Sequence, residues 1–238
     1  MTNLQEPWKI EVTGPLGASL TAYDRSQHPR SQDTSKLDGS TISPTFLNAM
    51  TVREEVFVVE QGVPLDNELD DDDTNCVHFV LYPDAGTSKP AGTIRIVPQS
   101  SDLHTDFDKH RHIDGTPYLG EVTSSTYNGE PFLKLGRLAV VKPQRGHGYA
   151  DALVKAALRY AAANPRDLIT KTSSSQHSLG PKSRDWQGLV LIHAQKQVQG
   201  FWARLGFTLD EGLGIWDEEG MDHVAMWTRV SRVDGTTP

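Results

Sequence analysis

Gln144-Arg145-Gly146-His147-Gly148-Tyr149-Ala150 have the residue types and spacing of an anion cradle. They follow the apolar run Leu135 to Val141 and open the helical pattern Ala150 to Ala163, so an apolar strand, a glycine turn and a helix start stand in that order. Such an order gathers unpaired backbone N–H groups at the positive end of a helix, where a phosphate or pyrophosphate is stabilised. The small residues at 146, 148 and 150 let a ligand come close to the backbone. A P-loop needs a Gly-Lys-Ser/Thr ending, and a dinucleotide fold needs Gly-x-Gly-x-x-Gly with an acidic residue about 20 positions on. Neither pattern is present.

The turn is set within the pattern of a mixed α/β domain. Trp8 to Val12 alternates weakly and predicts an opening strand, whereas Gly14 to Pro44 is rich in Ser, Thr, Gly, Pro and Asp and reads as a loop or poorly ordered segment. From Pro44 the apolar residues Phe46, Leu47, Met50, Val52, Val56, Phe57 and Val58 recur at helical spacings until Gly62-Val63-Pro64, predicting one or two helices with a break. Val77 to Tyr82 and Ala91 to Val97 predict an antiparallel hairpin. Phe132 to Val141 is the next strand, and the helix after it places Leu153, Val154, Ala157, Leu158 and Ala161 on one face before Asn164-Pro165 stops it. A strand over Leu189 to His193 leads to a helix over Gln195 to Arg204 that ends at Gly206. Phe207 to Leu209 and Val224 to Thr228 close the list of strands, with Trp216 to Gly220 read as an acidic turn between them. The polar segments 98–131 and 166–186 read as surface excursions of the kind that often carry function. The predicted organisation is an N-terminal segment 1–43, one domain over 44–230 and a tail 231–238.

Composition excludes several classes. A 238-residue chain with 37% hydrophobic residues suits a soluble globule, and nothing approaches 18 consecutive apolar residues. The N-terminus lacks the basic-then-apolar order of a signal peptide, which predicts a cytoplasmic or nuclear location and no membrane. The single cysteine, Cys76, has no partner for a disulfide and reads as a buried small hydrophobe. With 23 basic against 31 acidic residues the formal charge is −8, which disfavours a nucleic-acid partner and mildly favours a cationic one. Asp66, Glu68 and Asp70 to Asp73 form an acidic run, read first as a solvated loop and otherwise as an attractor for a cationic amine. No set of His, Asp and Glu has metal-ligand spacing, so no metal is expected.

The glycine turn resembles the Arg/Gln-x-x-Gly-x-Gly/Ala signature of the GNAT superfamily of acyl-CoA-dependent N-acyltransferases, with Arg145, Gly148 and Ala150 in the signature positions. Three further strings are similar to its ElaA-like branch: Arg53 to Pro64 with the acidic run behind it, Leu135-Gly136-Arg137-Leu138-Ala139-Val140, and His193-Ala194-Gln195 followed by Phe201 to Phe207, Asp217 to Gly220 and His223 to Met226. The resemblance covers Pro44 to Arg229 apart from the two excursions. It implies a mixed central sheet of about six or seven strands, splayed between the family's fourth and fifth strands and flanked by about four helices.

The resemblance also implies a reaction: an acetyl group passes from acetyl-CoA, the co-substrate, to a small primary amine or an exposed lysine or peptide amine. Leu138, Ala139 and Val140 would pair with the pantetheine arm as an added strand. Arg145, Gly146, His147, Gly148, Tyr149 and Ala150 would hold the pyrophosphate, and Gln195 and Trp202 would complete the donor site. A neutral amine must attack the thioester, so a base is needed, with Glu60 the first candidate and His193 the second. His78 and Glu121 are weaker candidates, and His223 reads as structural. Many superfamily members carry a tyrosine where this chain has Trp202. An indole N–H donates a hydrogen bond but is no practical acid at neutral pH, which leaves open a non-catalytic acyl-CoA-binding or sensing module of the same fold.

Overall fold

Val77 to Tyr82 is apolar or aromatic except at His78, a composition that suits a strand covered on both faces, and all six residues are buried. A computed structural model describes residues 7–32, 42–84, 86–100, 112–113, 116–117, 124, 126–168 and 186–231. In chain order the strands are β1 (Lys9–Thr13), β2 (Val77–Tyr82), β3 (Gly92–Ser100), β4 (His112–Ile113), β5 (Thr116–Pro117), β6 (Phe132–Val140), β7 (Leu189–Gln195), β8 (Thr208–Leu209), β9 (Ile215–Glu218) and β10 (Met221–Arg229). The α-helices are α1 (Pro44–Arg53), α2 (Leu65–Glu68), α3 (Tyr149–Ala163) and α4 (Gln199–Arg204). Among the described residues, seven strands are four residues or longer, in line with the mixed α/β sheet expected from the sequence. The chain divides into two units, one of residues 1–97 and 136–159 and the other of 98–135 and 160–238.

In the first unit β1, β2 and β3 pair antiparallel in succession, with Lys9 opposite Tyr82 and Val77 opposite Ile96. The end of β6 lies next in the sheet order. Its approach to β3 depends on Gly92, where a Cβ would come 2.9 Å from the Ala139 carbonyl oxygen. Pro44 opens α1 at a position where its missing N–H costs nothing. Phe46, Leu47 and Met50 then pack with Tyr23, Ile42 and Leu69. After Arg53 the coil widens rather than breaking. Residues Glu54–Glu60 form a π-helix, ended by a Gln61 N–H to Val56 carbonyl bond of 3.1 Å, and Gly62 leaves it at φ +78°. Val52 and Val56 stay on one face across the change and pack on Ala139 and Val141. The described part of the segment read as loop holds short 3-10 turns at Gly17–Ala22 and Pro29–Ser31, because Leu16, Leu20 and Tyr23 reach the α1 cluster.

In the second unit Phe132 to Leu135 of β6 pair parallel with Leu189 to Ile192 of β7. β10 pairs antiparallel with β7, β8 and β9. Phe132, Leu189, Leu191, Leu213, Trp216, Ala225 and Trp227 form the core here. Gly188, at φ +91°, passes so near the chain that a Cβ would lie 2.1 Å from the Val230 carbonyl oxygen. The acidic turn read over Trp216 to Gly220 is corrected: Ile215–Glu218 is a strand, and only Glu219 and Gly220 turn, at φ 55° and 77°. Two successive positive φ values match the twist of a two-residue hairpin. The alternation of exposed Ile215 with buried Trp216 is the strand signal that the acidic residues obscured. Most of 98–123 and all of 169–185 lie outside the described residues, and Glu121 is among them.

Candidate functional site

The cradle is built as its sequence requires. Lys142–Gln144 form a 3-10 turn after β6, Gly146 and Gly148 take φ +83° and +76°, and α3 begins at Tyr149. Nothing lies within 4 Å of the place a Cβ would occupy on either glycine, so the backbone is open above them. Ala152 N–H donates to the Gly148 carbonyl at 3.0 Å, and the N–H groups of Tyr149, Ala150 and Asp151 precede that first helical bond without intrahelical acceptors. His147 stacks on the buried Tyr149 with ring centroids 5.5 Å apart. This is a helix N-terminus of 15 residues with room for an anion.

Arg145 connects the cradle to the other candidates of its unit. Its guanidinium meets Glu60 through two bonds of 2.7 Å, and its Nε donates to the Val140 carbonyl at 2.9 Å. Both side chains are substantially exposed. The Arg145 hydrogen bonds hold the Glu60 carboxyl below its usual range. The structure therefore brings Glu60 to Val140 and Arg145, with Glu60 and Arg145 85 positions apart in sequence.

Before Leu138, Ala139 and Val140, β6 is kinked: Arg137 stands at φ +54°, a left-handed value that a non-glycine residue rarely takes. Its guanidinium is 3.0 Å from Asp70 Oδ2 and its Nε is 3.4 Å from Glu68 Oε1. Those carboxylates belong to a buried network. Arg53 bonds Glu68 at 2.5 Å and Asp73 at 2.7 Å, while Arg95 bonds Asp73 at 2.6 Å and both oxygens of Asp70 at 2.7 and 2.6 Å. Arg53, Glu68 and Asp73 are 2% exposed or less, so the reading of a solvated acidic loop is corrected for Glu68, Asp70 and Asp73. Asp66 and Asp71 remain exposed. Burial raises the Asp70 carboxyl, but the charge and hydrogen bonds of Arg95, then Arg137, more than offset it and hold it at about 2. His78 is fully buried 3.8 Å from Asp73, and burial pushes its imidazole down to about 3, so it stands neutral inside the network. Cys76 is buried as well, and burial raises its thiol to about 12, which suits its reading as an inert small hydrophobe.

The second unit holds His193, Gln195 and Trp202. His193 is near the end of β7, its side chain 5% exposed, with Nδ1 3.7 Å from Glu218 Oε2 and its ring edge-to-face on Trp216 at 4.9 Å. The sequence does not single out Glu218 as a site residue, because Asp217 to Gly220 has the composition of a turn. Burial raises its carboxyl, but His193, with help from His223 and Lys134, holds it well below the usual range. Trp216 Nε1 donates to the same carboxylate at 3.3 Å and stacks on His223, whose Nδ1 is 2.8 Å from the Met221 carbonyl. Trp202 is buried between Phe201 and Phe207, at centroid distances of 5.3 and 5.1 Å. Gln195 caps the 3-10 turn after β7 and accepts from Gln197 Nε2 at 3.0 Å.

Residues 52–155 match the family model described as an acetyltransferase (GNAT) domain. Among solved structures, an acyl-CoA N-acyltransferase from Pseudomonas aeruginosa aligns with a TM-score of 0.51 at 17% identity, covering 93% of this chain and 100% of that one. A candidate N-acetyltransferase from Lactobacillus plantarum aligns at 0.50 and 20% identity, covering 92% and 97%. The acyl-homoserine lactone (AHL) synthase LasI aligns at 0.50 and 11%, covering 94% and 91%. At these identities the likeness to solved structures is one of fold.

Proposed function

We propose that this chain, whose residues 52–155 match the model of an acetyltransferase (GNAT) domain, is an N-acetyltransferase that takes acetyl-CoA and a primary amine, either a small amine or an exposed lysine or peptide amine. The observation that carries the donor half of this reading is the open, doubly left-handed glycine turn at 146–148 in front of α3. Backbone N–H groups of residues 145–150 would hold the diphosphate, and Leu138, Ala139 and Val140 would run beside the pantetheine arm. Gln195 and Trp202 are further proposed donor residues. No metal enters the reading, and a cytoplasmic site of action is part of it. Among the described residues no helix is long and apolar enough to cross a membrane.

The chemistry is attack of a neutral amine nitrogen on the thioester carbonyl carbon. The ammonium loses one proton before attack, the C–S bond breaks, and the second N–H proton passes to the departing sulfur. Glu60 is the proposed base. The pairing with Arg145 keeps it ionised across neutral pH, so it acts as a weak base or orients a water that relays the proton. His193, backed by Glu218, is the second candidate. Trp202 offers no practical acid, and a coenzyme thiol with a pKa near that of cysteine leaves without much help.

The test is amide formation. The full chain with acetyl-CoA and a panel of small amines and lysine peptides should yield an acetylated acceptor by mass, and Glu60→Gln should lower kcat roughly 100-fold, the usual scale for a lost general base. Unchanged kcat removes Glu60 as the base. A folded protein that binds CoA and acetylates nothing favours the non-catalytic alternative, for which the packing of Trp202 between two phenylalanines is the supporting observation.

A further inference from the structure

We infer that Asp70 is a positioning residue for acyl transfer: through Arg137 it holds the left-handed kink that aims the backbone of Leu138, Ala139 and Val140. The inference rests on the reading of those three residues as the donor strand. A left-handed conformation is unfavourable for an L-residue with a side chain and persists where its surroundings over-determine it. Arg137 is such a residue, at φ +54° in the interior of β6. What holds it is the acidic segment. Asp70 Oδ2 lies 3.0 Å from the guanidinium, Glu68 Oε1 lies 3.4 Å from Nε, and the Glu68 carbonyl accepts at 3.4 Å.

Asp70 is itself fixed. Arg95 bonds both of its oxygens, and Asp70 exchanges bonds with Asp73 in a capping box, accepting from the Asp73 N–H at 3.3 Å and donating its own N–H to Asp73 Oδ2 at 3.1 Å. The deeper part of the network closes without Arg137, since Arg53 and Arg95 already pair with Glu68 and Asp73. Arg53 and Arg95 set two positive charges against the three carboxylates of Glu68, Asp70 and Asp73. Arg137 supplies the third and sits at the network's wetter edge, its side chain 22% exposed. A kink or bulge inside a strand redirects the peptide groups that follow it. Beyond the kink the strand is pinned again, by Ala139 and Val141 against Val52 and Val56 and by the close approach of Gly92 to the Ala139 carbonyl. Leu138 to Val140 are therefore held at both ends, and Asp70 controls the first.

The experiment uses the full chain and measures CoA affinity by calorimetry and the acetyl-CoA KM and kcat by thiol release. Asp70→Ala should weaken CoA binding and raise the KM about tenfold or more, as expected when a contacting backbone is misplaced. Adding Arg137→Gly should return both to within about twofold of wild type, because glycine takes positive φ without a partner. A defect caused only by uncovering Arg95 would not be repaired at position 137. Asp70→Asn, which keeps the side-chain shape, serves if alanine lowers the folded yield. Wild-type affinity in Asp70→Ala, or a defect that Arg137→Gly leaves in place, overturns the inference. If the wild type neither binds CoA nor turns it over, the donor reading has failed instead. A crystal structure of Asp70→Ala then decides the kink alone: φ at 137 below zero supports control by Asp70, and a retained positive value refutes it.

Discussion

Gly148→Val should abolish CoA binding while the protein remains folded. The residue stands at φ +76° with nothing within 4 Å of a Cβ position, so the empty turn has room for a side chain. Two costs nonetheless fall on the ligand. A β-branched residue is a poor occupant of the left-handed region and pulls the turn toward negative φ, which re-aims the N–H groups before α3. Its methyl groups also fill the space above those donors, where a diphosphate would have to sit. Left-handed strain alone costs about 1–2 kcal/mol. Gly17→Val is the control, since Gly17 has φ +54° and equally open surroundings away from the turn. Calorimetric titration should show CoA binding lost in Gly148→Val and kept in Gly17→Val. Wild-type affinity in Gly148→Val would remove the cradle as the diphosphate site.

Asp73→Ala should cost about 3–5 kcal/mol of stability, the scale for removing one partner of a buried ion pair. Asp73 is fully buried, bonded to Arg53 at 2.7 and 3.0 Å and to Arg95 at 2.6 Å, so its loss leaves two buried guanidinium groups under-compensated. The same cluster makes the fold acid-sensitive. His78 has its folded pKa depressed to about 3, against about 6.5 in an unfolded chain. Below about pH 6.5 the unfolded state therefore binds a proton that the native state does not. Stability should fall by about 1.4 kcal/mol per pH unit from there downward. Asp70, held at about 2, adds stability that is fully present above about pH 3.9 and is lost as the pH falls toward 2. Urea unfolding at a series of pH values should show the first decline beginning near neutrality. A flat profile between about pH 7 and 4 would mean that His78 is not buried as a neutral ring.

The cradle was readable because its signal is local. Strand, glycine turn and helix follow one another within Leu135 to Ala163, and each is specified by its own residues. The hairpin over 77–97 and the amphipathic helix after the turn were readable for the same reason. The buried network was not, because its charges come from α1, β3, β6 and the segment between α1 and β2. A signal for it existed. Arg95 and Arg137 each interrupt an apolar run, and a guanidinium inside such a run needs a buried carboxylate. Six acidic residues crowd between 66 and 73, and Glu68, Asp70 and Asp73 are three of them that pair with guanidinium groups of this network. The π-helical stretch at 54–60 and the left-handed Arg137 left no such trace, since both are enforced by packing and pairing rather than by residue preference. Glu218 was hidden by its neighbours: Asp217 to Gly220 has the composition of a turn, although only its last two residues make one.

Acyl transfer from a coenzyme A thioester is measured most directly as free thiol released from acetyl-CoA by the purified full chain, with and without each member of an amine panel. The predicted result is release that one class of primary amine stimulates well above the hydrolytic background and that Gly148→Val eliminates. A folded protein that binds CoA, yet releases no more thiol with any amine than without, would contradict the assignment as a transferase.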